Sequence, residues 1–228
     1  MTTCKNVADT LEDMKRSVIW KFVYWALFVS CVAALVWMNQ PRADLPAQDM
    51  SRLWGDTWFL WGFAHFSLLL MPAALLLAAD GLRRRTRAWL LVIPYLALGI
   101  FALAPYLAVR PAQESGDALP AWIERARRGR WFWALSAAAS VAAPLVLLPL
   151  GSWAGLQETM RYAYGWWFMA ADILLNHVCV LPLVQADMQR SGMDERLQRR
   201  WLWLIGVSGP LGLNAYLARR RFEGGSAA

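Results

Sequence analysis

Six apolar stretches, at 18–38, 57–79, 88–109, 131–150, 162–186 and 201–218, constrain this chain more than any motif does. A helix rises about 1.5 Å per residue and the hydrocarbon core is about 30 Å thick, so roughly 20 apolar residues make one crossing. A buried helix of a soluble protein is usually shorter and keeps a polar stripe. These stretches are apolar all round. An open sheet edge has no partner in lipid, so the expected class is all-α: a polytopic membrane protein of about six transmembrane helices. Composition agrees, with 58% of residues hydrophobic, 17% charged, and the charges gathered between the stretches.

Aromatic placement fits the same reading. Of the 15 Trp, many sit at the ends of stretches, among them Trp20, Trp37, Trp54, Trp58, Trp131, Trp166 and Trp201. An indole ring prefers the headgroup level, where it is half wet. The first stretch is too long for the core of a signal peptide and has no small-x-small site after it, so it reads as a retained span. Cys4, Cys31 and Cys179 form no Cys-x-x-Cys pair, which argues against a disulfide framework or a thiol oxidoreductase. The chain has three Lys against twenty Arg and abundant Ala and Leu, a bias typical of high-GC bacteria. The expected location is therefore the bacterial inner membrane. The net charge of +7 is juxtamembrane, where lipid phosphates are the nearest anions, so membrane lipids are expected partners and nucleic acid is not.

Arginine placement contains a contradiction. Arg83, Arg84, Arg85 and Arg87 crowd the second loop, and Arg190, Arg196, Arg199 and Arg200 crowd the fifth. The positive-inside rule puts both in the cytoplasm, yet three spans lie between them. Either one cluster breaks the rule or one span is re-entrant. A duplication accounts for the pattern. Ala79-Asp80, an Arg-rich turn, Trp89 and Tyr106-Leu107-Ala108 with Arg110 are echoed by Ala186-Asp187, a turn about three residues longer, Trp201 and Tyr216-Leu217-Ala218 with Arg219. A three-span unit repeated once inserts its second copy upside down, an inverted repeat. The expected organisation is an extramembrane segment (1–17), a first three-helix repeat (18–110), a linker with an amphipathic surface helix (111–130), a second repeat (131–220) and a disordered tail (221–228). The alternative is that similar boundary chemistry arose twice independently.

Polar groups at membrane depth are expensive and so mark candidate sites. Asp172, Asn176 and His177 lie within the fifth stretch, and His65 lies within the second, near Ser67. Under the duplication His65 falls opposite Asp172, so the two are expected to meet. His65, Asp172, Asn176 and His177 are the candidate ligand-binding residues. They suit a proton transfer or polarisation of an isoprenoid, while two His alone make a sparse ligand set for haem iron or chlorophyll magnesium, and no metal or cofactor is assigned. Helix packing through interhelical hydrogen bonds is the plainer account. The Lys residues, at 5, 15 and 21, exclude a retinal Schiff base deep in a late span.

In the sixth stretch, Gly206-Val207-Ser208-Gly209-Pro210-Leu211-Gly212-Leu213 allows close helix approach and a kink, with Asn214 needing a partner. Asp187, the Arg-rich turn and Gly209-Pro210-Leu211-Gly212-Leu213 ahead of Tyr216-Leu217 resemble the C-terminal end of the small membrane proteins related to the plant neoxanthin-formation protein (abscisic-acid-deficient type). His177 then resembles that family's helix histidine, although Asn176-His177 leads here to Leu181-Pro182-Leu183. The resemblance covers about 50 of 228 residues and implies carotenoid or isoprenoid chemistry. Three functions stay open: a protein that binds or acts on an isoprenoid-like ligand or pigment, an accessory subunit of a photosynthetic or respiratory membrane complex, and a small transporter.

Overall fold

The computed structural model describes residues 2–38, 51–111, 118–162 and 165–220, and every regular element among them is helical. The expected tail at 221–228, much of the polar stretch after the first span, and the turn-forming part of the linker lie outside the described residues. The helices are α1 (Thr2–Met38), α2 (Ser51–Gly55), α3 (Thr57–Arg83), α4 (Val92–Leu98), α5 (Ile100–Val109), α6 (Ala121–Arg128), α7 (Arg130–Leu147), α8 (Trp153–Tyr162), α9 (Gly165–Cys179), α10 (Leu181–Arg190), α11 (Glu195–Ser208) and α12 (Pro210–Arg219). Three helical segments are long and apolar enough to cross a membrane: Thr57–Arg83, Arg130–Leu150 and Trp166–Arg190. The segment expected to be extramembrane is helical from Thr2 and continuous with the first apolar stretch in α1.

The ends of the helices follow from local chemistry. Asp56 starts α3, its Oδ1 accepting the N–H groups of Trp58 and Phe59 at 2.8 and 2.9 Å. Asp194 does the same for α11 through the N–H groups of Arg196 and Leu197. Each satisfies donors that a helix leaves unpaired in its first turn. The linker forms α6 over the stretch expected to be amphipathic. Its Ile123 is buried against Ala78 and Ala79 of α3, so the helix lies across the end of the bundle.

The third and sixth stretches depart from expectation, because neither is one straight helix. Residues 87–109 as a single helix would carry Arg110 about 35 Å from Arg87. Instead Arg110, just beyond α5, donates to both oxygens of Asp80 near the end of α3, at 2.7 and 2.6 Å. Tyr106 donates to the same carboxylate at 2.5 Å. The chain has entered through α4, reversed at Gly99 and returned through α5. In the second case Trp201 and Tyr216 would be about 22 Å apart on a continuous helix, but their rings are 5.8 Å apart. Tyr216 and Arg220 both reach Asp187 at 2.7 Å. Here the reversal is at Gly209. The two glycines have nearly the same backbone, φ 52 and ψ −119 at Gly99, φ 54 and ψ −113 at Gly209. Positive φ is open to Gly and strained for other residues, and this reversal is the physical reason that six straight helices are not found.

The direction of the two halves is a second correction. An inverted repeat would set Asp80 and Asp187 at opposite ends of the bundle. They lie at the same end: Arg190, at the close of α10, reaches Asp80 at 2.5 Å. Arg127 of α6 is buried between Glu124 and Asp187 and pairs with both. This end is the arginine-rich face. At the other end, the start of α8, just past the close of α7, meets the start of α3, with Trp58 and Trp153 rings 5.9 Å apart. Packing is alike in the two halves, α1 lying chiefly on α5 and α7 chiefly on α12. Between them a buried core runs through Leu69, Leu77, Leu103, Leu183, Ile205 and Leu213.

Candidate functional site

The tips of the two reversals both meet α9, and the candidate residues gather there. At the first tip, α5 begins at Ile100 with N–H groups that its own helix cannot satisfy. Asp172 of α9 meets one of them, Oδ1 accepting the Ile100 N–H at 2.9 Å. Asn176, one turn further on, donates to the same oxygen at 2.8 Å and to the Asp172 backbone carbonyl at 2.9 Å. Its own Oδ1 accepts the Tyr95 hydroxyl at 3.1 Å. Tyr95 and Asn176 are fully buried and Asp172 nearly so. A methyl group at Gly99 would strike the Asp172 carboxylate and the Phe66 ring, so glycine is needed there for space as well as for backbone angle.

At the second tip the partner is a histidine pair. His65 of α3 and His177 of α9 face each other, Nε2 to Nε2, at 3.0 Å. Two imidazoles at that distance share one hydrogen, one ring donating and the other accepting. Neither Nε2 then offers a free lone pair to a haem iron or a magnesium unless the pair opens. Trp61 lies 5.7 Å from His65 ring to ring, and a Cβ at Gly209 would strike the His177 ring. Asn214, which the sequence left without a partner, donates to the carbonyls of Leu68 at 3.0 Å and Pro210 at 2.8 Å, tying α12 to α3.

The four predicted residues are thus close together but paired otherwise than expected. His65 meets His177 rather than Asp172, because the Gly99 tip and Asn176 occupy the carboxylate. Among the described residues, no three His, Cys, Asp or Glu side chains gather as a metal set. Tyr95 and Gly99 were missed, and Gly209 was read only as part of a packing and kink motif. Their signal was present: a glycine midway along an apolar stretch, seven residues before Tyr and eleven before Arg, occurs twice, as Gly99, Tyr106, Arg110 and Gly209, Tyr216, Arg220.

A cavity of about 150 Å³ opens beside Asp172. Leu27, Ser30, Cys31 and Ala34 of α1, Ile100 at the tip, and Phe168, Ala171 and Leu175 of α9 line it, so its walls are largely apolar, Ser30 adding one hydroxyl, and among the described residues its one carboxylate is Asp172. Oδ2 of that carboxylate takes no hydrogen bond from the described residues. The arrangement can accept a hydrogen bond from a largely apolar molecule. No family model, curated protein or solved structure matches the chain.

Proposed function

We propose that this chain is an integral membrane protein with four complete crossings and two re-entrant hairpins, and that it binds or acts on a hydrophobic, isoprenoid-like ligand at Asp172. Crossings by α1, α3, α7 and α9–α10, with hairpins α4–α5 and α11–α12, put every arginine-rich turn on one side. The conflict with the positive-inside rule then disappears, and that side is cytoplasmic. Each hairpin's returning helix has ten residues, about 15 Å or half the hydrocarbon thickness. The repeat is a parallel one, its two copies related about the membrane normal, in the inner membrane of a bacterium.

The observation that carries the ligand reading is the carboxylate in an apolar cavity at membrane depth. An intramembrane carboxylate is costly to keep and marks function by default. The space equals about five water molecules, enough for one end of a polyisoprenoid, with the remainder running between α1 and α9 toward lipid. A hydroxyl at the buried end donates to Asp172, and the His65–His177 pair begins one residue beyond Asn176 on α9.

Asp172 also caps α5, so the test must separate the two roles. Asp172→Asn keeps an oxygen for the Ile100 N–H and removes the charge. Gently purified protein is expected to release one hydrophobic compound per chain into organic solvent, with its own absorption spectrum if conjugated. Asp172→Asn should fold and lose that compound. Retention of the compound by the variant, or wild-type protein that carries none, would reduce Asp172 to a cap. A transporter is the second reading, favoured because α5 and α12 both begin at half depth, as interrupted helices do at transport sites. It requires flux in proteoliposomes that His177→Ala abolishes.

A further inference from the structure

A cleft lies between α11 and α12, apart from the cavity at Asp172. It encloses about 710 Å³ on the arginine-rich face. Met193, Leu197, Trp201 and Leu204 give it an apolar wall, and Arg200 and Arg219 stand at its rim. Its two other charged groups are already engaged, Asp194 in capping α11 and Arg220 with Asp187. Arg200 and Arg219 have no carboxylate partner among the described residues.

Comparison of the two hairpins shows that the charged rim of the cleft is specific to the second. Aligned on Trp89 with Trp201 and on Arg110 with Arg220, the first half has Ala88 in place of Arg200 and Val109 in place of Arg219. It also lacks the longer turn that supplies Ser191, Gly192 and Met193 to the cleft. Both rim arginines therefore belong to the second copy alone, where the Asp–Tyr–Arg cluster common to both halves does not need them.

From this geometry we infer that the α11–α12 cleft binds an anionic phospholipid, its phosphate between Arg200 and Arg219 and its acyl chain along Leu197, Trp201 and Leu204. A guanidinium fork matches phosphate oxygens in shape and charge. Basic pockets between membrane helices hold anionic headgroups in this manner.

The test is native mass spectrometry of the full-length protein in neutral detergent, titrated separately with phosphatidylglycerol and phosphatidylcholine. The wild type is expected to retain one phosphatidylglycerol preferentially. Each arginine near the surface is worth roughly fivefold in affinity, so Arg200→Gln with Arg219→Gln should weaken retention about 30-fold. Arg87→Gln with Arg125→Gln, exposed on the same face outside the cleft, should change it little. If the double variant is poorly folded, Arg200→Gln alone carries the test with about a fivefold loss. Unchanged retention in the cleft variants, an equal loss in the control pair, or equal binding of phosphatidylcholine would overturn the inference. Displacement of the lipid by equimolar inorganic phosphate would overturn it too, by assigning the cleft to a soluble anion.

Discussion

Two glycines decide the shape of this protein, and each is fixed twice over. At Gly99 and Gly209 the backbone lies at φ 52 and 54, and the space that a side chain would fill already holds Asp172 or His177. An L residue in such a region costs about 1–3 kcal/mol, and the steric conflict adds to it. Gly99→Ala and Gly209→Ala should each lower the unfolding midpoint in detergent by several degrees. Gly55→Ala, where a Cβ meets nothing within 4 Å, should leave it unchanged. Equal midpoints for all three variants would mean that the reversals do not depend on glycine. The sequence exposed these residues only in part. Gly209 stood out beside Pro210, but Gly99 lies in an ordinary run of Leu, Ala and Ile, and glycine is common in membrane helices for packing alone.

Among the elements, the Asp80 cluster ties α3 to the first hairpin and to the other half. Its carboxylate receives Arg84 at 3.2 Å from its own helix, Arg110 at 2.6 Å from the first hairpin and Arg190 at 2.5 Å from α10 of the other half. Removing the charge leaves three guanidinium groups facing one another. Breaking a buried pair in this way costs about 3–5 kcal/mol, so Asp80→Asn should greatly reduce the yield of folded protein. Arg190→Gln should cost less, since two arginines remain, and should chiefly loosen the contact between halves, which protease sensitivity of the α10–α11 turn would report. If Asp80→Asn were as stable as wild type, the cluster would be incidental. The repeated Ala-Asp, Tyr-Leu-Ala and Arg elements were legible in the sequence, and so was the amphipathic α6. Their convergence on one carboxylate was not, because a 22-residue apolar stretch reads as a crossing whether it runs straight or folds in half. Asp172 and His65 illustrate the same gap. Spacing placed them at membrane depth, but the pairing of His65 with His177 depends on the Gly99 tip occupying Asp172.

At the scale of the whole molecule, one reversal in each half changes the sidedness of everything after it. With six straight crossings, Arg87 would face one side and Arg125 and Arg196 the other. With four crossings and two hairpins, all three face the cytoplasm and Ser152 faces away. Single cysteines at these four positions, in a chain whose own Cys4, Cys31 and Cys179 are replaced by Ala or Ser, separate the two arrangements. A membrane-impermeant maleimide applied to intact spheroplasts should label Ser152→Cys alone, and applied to inverted vesicles it should label Arg87→Cys, Arg125→Cys and Arg196→Cys. Labelling of Arg125→Cys or Arg196→Cys from outside would restore six crossings and make the proximity of Asp80 to Arg190 untenable. The expected pattern has an energetic basis, since an arginine-rich turn resists translocation. A chain that folds its third and sixth stretches back at glycine can keep all of those turns on one side while duplicating its unit in the same orientation.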